Sequence, residues 1–364
     1  MKKQRMFQVI PLAVVLIIAA LVAGCVSSPS APANSTIPAN TTVVPNTTLV
    51  QPPAIPAASL SPTMGPGGQG LKGGGMSAPD TSAIKQKWLD VPYANISSAE
   101  KMDIYLPNQG TGPFPVIVSI HGGGFISGDK ASGELTPMLT GLNRSYAVVS
   151  INYRLSQEAQ FPAQIQDVKA AIRYIRANAQ VYNLNPEKIA VWGGSAGGNL
   201  AALAGTSGDV PELEDLSMGN PQQSSRVQAV VDWFGPINFL TMDNQFTKSG
   251  LGPVTHNQTD SPESQYLGAA IPTIPEKVKA ANPETYISVD DPPFFIQHGT
   301  SDSQVPTEQS VDFAKGLETV IGTEKVTLET LQGAGHGDQA FTTTENVDRV
   351  FTFLDQRLSV TRTT

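Results

Sequence analysis

From residue 102 onward the apolar residues of this chain fall into two alternating patterns. Short, almost unbroken apolar runs at 115–120, 147–153, 188–192, 227–234, 294–297 and 326–331 predict strands covered on both faces. Met102-Asp103-Ile104-Tyr105-Leu106-Pro107 instead alternates, as a half-exposed antiparallel strand does, and Gly110-Thr111-Gly112-Pro113 turns the chain after it. Between the runs, Ile165, Val168, Ile172 and Ile175 recur at three- and four-residue steps and predict a helix from Gln164, with Pro162 suited to its first turn. Residues 196–204 predict a small-residue helix, 310–321 another, and 344–358 an amphipathic helix closing the fold. Strand and helix in that rhythm imply parallel strands joined by right-handed crossovers, an α/β fold with a mostly parallel central sheet of about eight strands flanked by helices.

Two stretches break the rhythm. Residues 235–290, after the sixth strand, lack a clean period and are rich in Pro, Asn, Thr and aromatics. An insertion of that length beyond a central strand arches over the sheet edge where ligands sit, as a cap. The other stretch is N-terminal. Lys2, Lys3 and Arg5 precede an apolar run at 9–23, and Val22-Ala23-Gly24-Cys25 closes it with small residues before the only cysteine. Residues 26–82 follow, made of Pro, Ala, Ser, Thr, Asn and Gly, too poor in large apolar side chains to offset the entropy of folding. They read as a tether with a root-mean-square reach on the order of 40 Å. The organisation expected is therefore a signal segment over 1–25, a linker over 26–82 and one folded domain over 83–364. Three Asn-x-Thr/Ser sequons, at Asn34, Asn40 and Asn46, lie in the linker.

Charge and cysteine usage narrow the chemistry. A net charge of −8 with no basic cluster after the N-terminus argues against nucleic acid, since nothing would neutralise a run of phosphates. With Cys25 alone, no disulfide can form within the chain and thiol chemistry in the folded domain is excluded.

The candidate chemistry centres on Gly193-Gly194-Ser195-Ala196-Gly197, placed where a buried strand meets the small-residue helix. A strand that becomes a helix within so few residues strains the turning residue and lifts its side chain off the sheet, and flanking glycines remove the β-carbons that would collide. A hydroxyl there needs a base to take its proton. Of the four histidines, His121 and His298 end strands beside glycine turns, where an imidazole more often holds a loop, and His256 lies in the insertion without a motif. His336, between glycines after the last strand, is the candidate base. Asp302, after the preceding strand, is its candidate carboxylate; Asp290 and Asp291 fall at the wrong end of that strand and Asp338 follows the histidine. His121-Gly122-Gly123-Gly124 leaves backbone N–H groups unshielded, so the amides of Gly123, Gly124 and Ala196 are candidate donors to a developing oxyanion. Phe125, Trp233, Phe234 and Phe239 are candidate pocket residues, although aromatics flanking strands more often belong to the core.

These residues resemble the α/β-hydrolase superfamily, and within it the esterases with a His-Gly-Gly-Gly loop, over 102–358. The likeness is specific at His121 to Phe125, Asn152-Tyr153-Arg154-Leu155, Gly193 to Gly198 and the Asp302/His336 pair. The group that includes acetyl-xylan and feruloyl esterases and kynurenine formamidase-like proteins looks most similar. The hormone-sensitive-lipase-like group usually has Asp where Gly194 stands here. The resemblance implies Ser195 as nucleophile, His336 as base and then acid, Asp302 as its orienting partner, no metal or organic cofactor, and a carboxylic ester, with less force a carbohydrate-linked one, as substrate. Separately, the N-terminus resembles a prokaryotic lipoprotein signal, which implies lipid on Cys25 and a domain held outside the cytoplasm; an ordinary secretory signal and an uncleaved anchor are the other readings. Two rival functions stay open: a serine peptidase of the prolyl-oligopeptidase type, which usually carries a large propeller with no counterpart here, and a surface binding module that has lost catalysis.

Overall fold

The structure, a computed structural model, describes residues 77–208 and 210–360. The expected signal segment, Cys25, the sequons and nearly all of the linker lie outside the described residues. The chain is engaged from Thr81, whose carbonyl accepts from the Ile84 amide and the Lys87 ammonium.

Eight strands form one sheet: β1 (Lys87–Pro92), β2 (Lys101–Tyr105), β3 (Phe114–Ile120), β4 (Ala147–Ile151), β5 (Leu184–Gly194), β6 (Ala229–Trp233), β7 (Phe294–Gly299) and β8 (Val326–Leu331). Their spatial order is β1-β2-β4-β3-β5-β6-β7-β8. The first two pairings, β1 with β2 and β2 with β4, are antiparallel, and all others are parallel. The expected strands are all present. β1 is the addition: its side chains are half-buried or exposed, it pairs with β2 alone, and its register slips between Trp88 and Val91. Such an edge strand leaves no unbroken apolar run to read.

The helices are α1 (Thr136–Leu139), α2 (Ala163–Ala177), α3 (Ala196–Thr206), α4 (Phe239–Ser249), α5 (Pro262–Leu267), α6 (Pro275–Ala281), α7 (Thr307–Ile321) and α8 (Thr344–Arg357). Alternation along the central strands divides the core in two. Val116, Val118 and Ile120 of β3 join Ile165 and Ile172 of α2, Leu200 of α3 and Phe313 of α7 on one face, while Ile117 joins Met138 of α1 and Val350, Phe351 and Leu354 of α8 on the other. Trp192 of β5 fills the second face, edge-on to Trp233 at 4.9 Å and to Phe351 at 5.8 Å.

α3 is built of small residues because it lies hard against the sheet. A β-carbon on Gly197 would stand 2.1 Å from the Ile120 carbonyl oxygen, and one on Gly205 2.5 Å from a Val230 methyl. The insertion that followed no clean period contains α4, α5 and α6. Two of these are very short, at 6 and 7 residues, with Pro262 and Pro275 in their first turns, so each presents too few steps for a helical stripe.

Candidate active site

Three loops at the C-terminal ends of β5, β7 and β8 converge. Ser195 stands between Gly194, the last residue of β5, and Ala196, the first of α3, with φ 57° and ψ −125°. These angles are strained for a residue with a side chain, costing about 1–3 kcal/mol, and they persist only where the surroundings enforce them. Here the Ser195 amide is tied to the Trp233 carbonyl at 2.9 Å. Close packing beneath the turn does the rest, since a β-carbon on Gly193 would lie 2.2 Å from the Gly197 carbonyl oxygen.

The Ser195 hydroxyl lies 2.9 Å from His336 Nε2, and His336 Nδ1 lies 2.7 Å from Asp302 Oδ2. With Nδ1–H donating to the carboxylate, the neutral imidazole presents its Nε2 lone pair to the hydroxyl. Phe234 sets an edge against the imidazole with centroids 4.7 Å apart. Asp302 is wholly buried; its Oδ1 accepts from the Gln304 and Val305 amides at 2.8 and 2.9 Å. Burial by itself raises this carboxyl. Hydrogen bonds from His298 and His336, and the charge those rings can carry, outweigh burial and hold Asp302 well below the usual carboxylate range.

His298, on β7, braces the same turn. Its Nε2 donates to the Val305 carbonyl at 3.0 Å and stands 3.3 Å from Asp302 Oδ2, while its Nδ1 accepts from the Ser310 hydroxyl at 2.7 Å. Behind the nucleophile turn, Asp232 of β6 accepts from the Gly235 amide at 3.0 Å, and burial raises its carboxyl to about 6 against the pull of that bond and of His298.

The glycine loop after β3 presses on the same turn: a β-carbon on Gly122 would lie 2.9 Å from the Gly194 carbonyl oxygen. Gly123, Gly124 and Phe125 all have positive φ, 97°, 61° and 63°. Three positive-φ residues in succession turn the backbone sharply after β3, at positions where two of the three are glycines. Ala196, at the start of α3, has no acceptor within its helix for its N–H. The loop is anchored by Glu134, which no pattern in the sequence marks, and by Tyr153 and His121, the latter holding a loop as its place at a strand end predicts. Glu134 accepts from the Gly122 amide at 2.7 Å, and the Tyr153 hydroxyl donates to the His121 carbonyl at 2.9 Å. His121 stacks on Tyr153 at 4.3 Å and donates from Nδ1 to the Gly122 carbonyl at 2.8 Å; burial lowers its pKa despite that bond and the Glu134 charge. An open pocket of about 260 Å³ is lined by His121, Asn152, Tyr153, Gln157 and Glu158 among others, and none of Ser195, His336 and Asp302 borders it.

From the insertion, α5 covers the outside of the loop. A β-carbon on Gly124 would sit 3.1 Å from Pro262, and Tyr266 stacks on Phe125 with centroids 3.9 Å apart. Phe125, Trp233 and Phe239 are almost wholly covered by protein; of the aromatics named from sequence, Phe234 is the one that touches the His336 ring. Among the described residues no group of His, Cys, Asp and Glu is arranged to hold a metal ion.

A mostly parallel eight-stranded sheet with a serine at the strand-to-helix turn defines the class: this is an α/β-hydrolase fold. Residues 102–317 match the BD-FAE family, and the chain belongs to it. A bifunctional GH43-CE protein from Bacteroides eggerthii has a TM-score of 0.68 and 35% identity, covering 75% of this chain and 35% of that one. A truncated form of a carbohydrate esterase from gut microbiota has a TM-score of 0.70 and 33% identity, covering 78% of this chain and 100% of that one. Among curated proteins, a probable carboxylic ester hydrolase, LipM, from Mycobacterium tuberculosis is 32% identical over 234 residues, 64% of this chain and 52% of the relative. The chain spans about half the length of the curated relatives it matches.

Proposed function

We propose that this protein is a serine carboxylic-ester hydrolase. The observation that carries the reading is the unbroken hydrogen-bonded line from the Ser195 hydroxyl through His336 to the buried carboxylate of Asp302. Ser195 Oγ attacks the ester carbonyl while His336 Nε2 takes its proton, and Asp302 stabilises the imidazolium that results. The oxyanion of the tetrahedral intermediate is received by the amides of Gly123, Gly124 and Ala196, which are fixed before reaction and cost no reorganisation. His336 then returns the proton to the leaving alcohol, giving an acyl-enzyme on Ser195. Water, deprotonated by the same imidazole, releases the acid. No step calls on a metal or organic cofactor.

The substrate we propose is a short-chain acyl ester, with a carbohydrate as the alcohol. The carbohydrate-esterase names among similar structures support that choice. A fluorophosphonate probe tests the mechanism: labelling of wild type that disappears in Ser195→Ala is expected, and unlabelled folded wild type would point to a binding module instead. A panel of acetyl, butyryl, octanoyl and feruloyl esters tests the acyl group. Turnover falling with chain length is expected; fastest turnover of the octanoyl ester would refute the short-acyl reading.

The N-terminus belongs to the same proposal. Cys25 is lipidated after signal cleavage and holds the hydrolase domain outside the cytoplasm on its linker, in reach of extracellular esters. Metabolic labelling with a radioactive fatty acid should mark wild type and not Cys25→Ser. Equal labelling of both, or of neither, rejects the lipid anchor.

A further inference from the structure

His256, in the insertion, has no part in the chemistry above, yet its ring is fixed from several sides. It is 7% exposed and stacks on Phe246 with centroids 5.5 Å apart. Nδ1 lies 2.8 Å from Asp243 Oδ1 and Nε2 lies 3.2 Å from the Gln304 carbonyl oxygen. Both partners are acceptors, so the ring satisfies both only with each nitrogen protonated. Asp243 is itself tied down, accepting from the His256 and Asn257 amides at 2.9 and 3.0 Å. The imidazole is thus anchored within the insertion and reaches out of it.

What it reaches is the turn that holds Asp302. The Gln304 carbonyl and the Val305 N–H belong to one peptide plane. His256 donates to the oxygen of that plane, and the plane's N–H donates to Asp302 Oδ1 at 2.9 Å. Hydrogen bonds in series through one amide polarise each other, and a rigid plane gripped at its oxygen has its N–H direction fixed. Oδ1 held this way leaves Oδ2 for His336. A second contact from the insertion falls one residue earlier, where a β-carbon on Gly252 would stand 2.5 Å from the Ser303 carbonyl oxygen.

We propose that His256 is a positioning residue for the triad: through the Gln304–Val305 peptide it sets the orientation of Asp302, and by that route the insertion acts on turnover as well as on substrate. The proposal rests on the hydrolase reading of Ser195, His336 and Asp302. His256→Phe keeps a ring against Phe246 and removes both donors. Measured on the full chain with a soluble acetyl ester, it is expected to lower kcat about ten- to a hundred-fold with KM within about two-fold of wild type. In the Asp302→Asn background the same substitution is expected to change kcat by less than about two-fold, because the group it orients is already lost. Unchanged kcat in His256→Phe, or an equal loss in both backgrounds, overturns the proposal. Should His256→Phe not fold, Asp243→Asn is run through the same cycle, with a smaller kcat loss expected and the same two outcomes overturning. Wild type without Ser195-dependent hydrolysis overturns the hydrolase reading and this proposal together; active wild type with an indifferent His256 overturns the proposal alone.

Discussion

The strain at Ser195 and the anchoring of Asp302 are separable by substitution. Ser195→Ala and Ser195→Gly should both lose at least about 10³-fold in kcat/KM. Only the glycine relieves the positive φ, so Ser195→Gly is expected to melt about 2 °C above Ser195→Ala by scanning calorimetry. Asp302→Asn should cost on the order of 10³–10⁴ in kcat, since an amide can present its N–H to His336 and stabilise the wrong tautomer. Much of this was legible in the sequence. A glycine-flanked serine after an apolar run, and an Asp and a His after the last two such runs, need only strand order to bring them together. Of the supports, His298 was legible as a loop-holding histidine from its place at a strand end beside a glycine turn, and Tyr153 as part of the Asn152-Tyr153-Arg154-Leu155 likeness. Glu134 and His256 were not, because each reaches a backbone atom of a distant segment and no spacing along the chain marks such a contact.

Among the elements, α5 is the one whose brevity hides its consequence. Tyr266 lies flat on Phe125, and its own hydroxyl is buried without a protein partner among the described residues. Tyr266→Phe is therefore expected to be neutral or stabilising by up to about 1 kcal/mol with activity retained, since it removes a polar group whose burial is uncompensated. Tyr266→Ala removes the ring that covers the glycine loop. It should lower kcat more than about ten-fold while the fluorophosphonate still labels Ser195 at a reduced rate, as stopped-flow labelling would register. The core strands were readable because burial on both faces leaves apolar runs. β1 and the insertion helices were not, because an edge strand with exposed side chains and helices of two turns carry no sustained period.

For the whole molecule, the buried acids pull stability in opposite directions along the pH axis. Asp232 has its carboxyl raised to about 6, so between about 4, the unfolded value, and about 6 the folded state binds the extra proton and this group's contribution to stability falls as pH rises. Asp302 is depressed; its contribution is present above about 4 and is lost as pH falls below that. Asp232→Asn should consequently gain on wild type between pH 4.5 and 7.5, the difference in Tm moving in the variant's favour at the higher pH. A constant difference across that range would show that Asp232 does not titrate there. Trp192 of β5, packed against Phe351 of α8, is the largest fully buried side chain among the described residues, and Trp192→Ala is expected to cost about 3–5 kcal/mol in urea unfolding.

The insertion touches the machinery at both ends, through Pro262 and Tyr266 at the glycine loop and through Gly252 and His256 at the acid turn. Recruiting a new alcohol specificity by transplanting this segment from a relative would therefore carry a hidden toll: chimeras that accept the donor's substrate should do so sluggishly until the two seams are re-fitted to the recipient. Selectivity and speed would then evolve as linked traits.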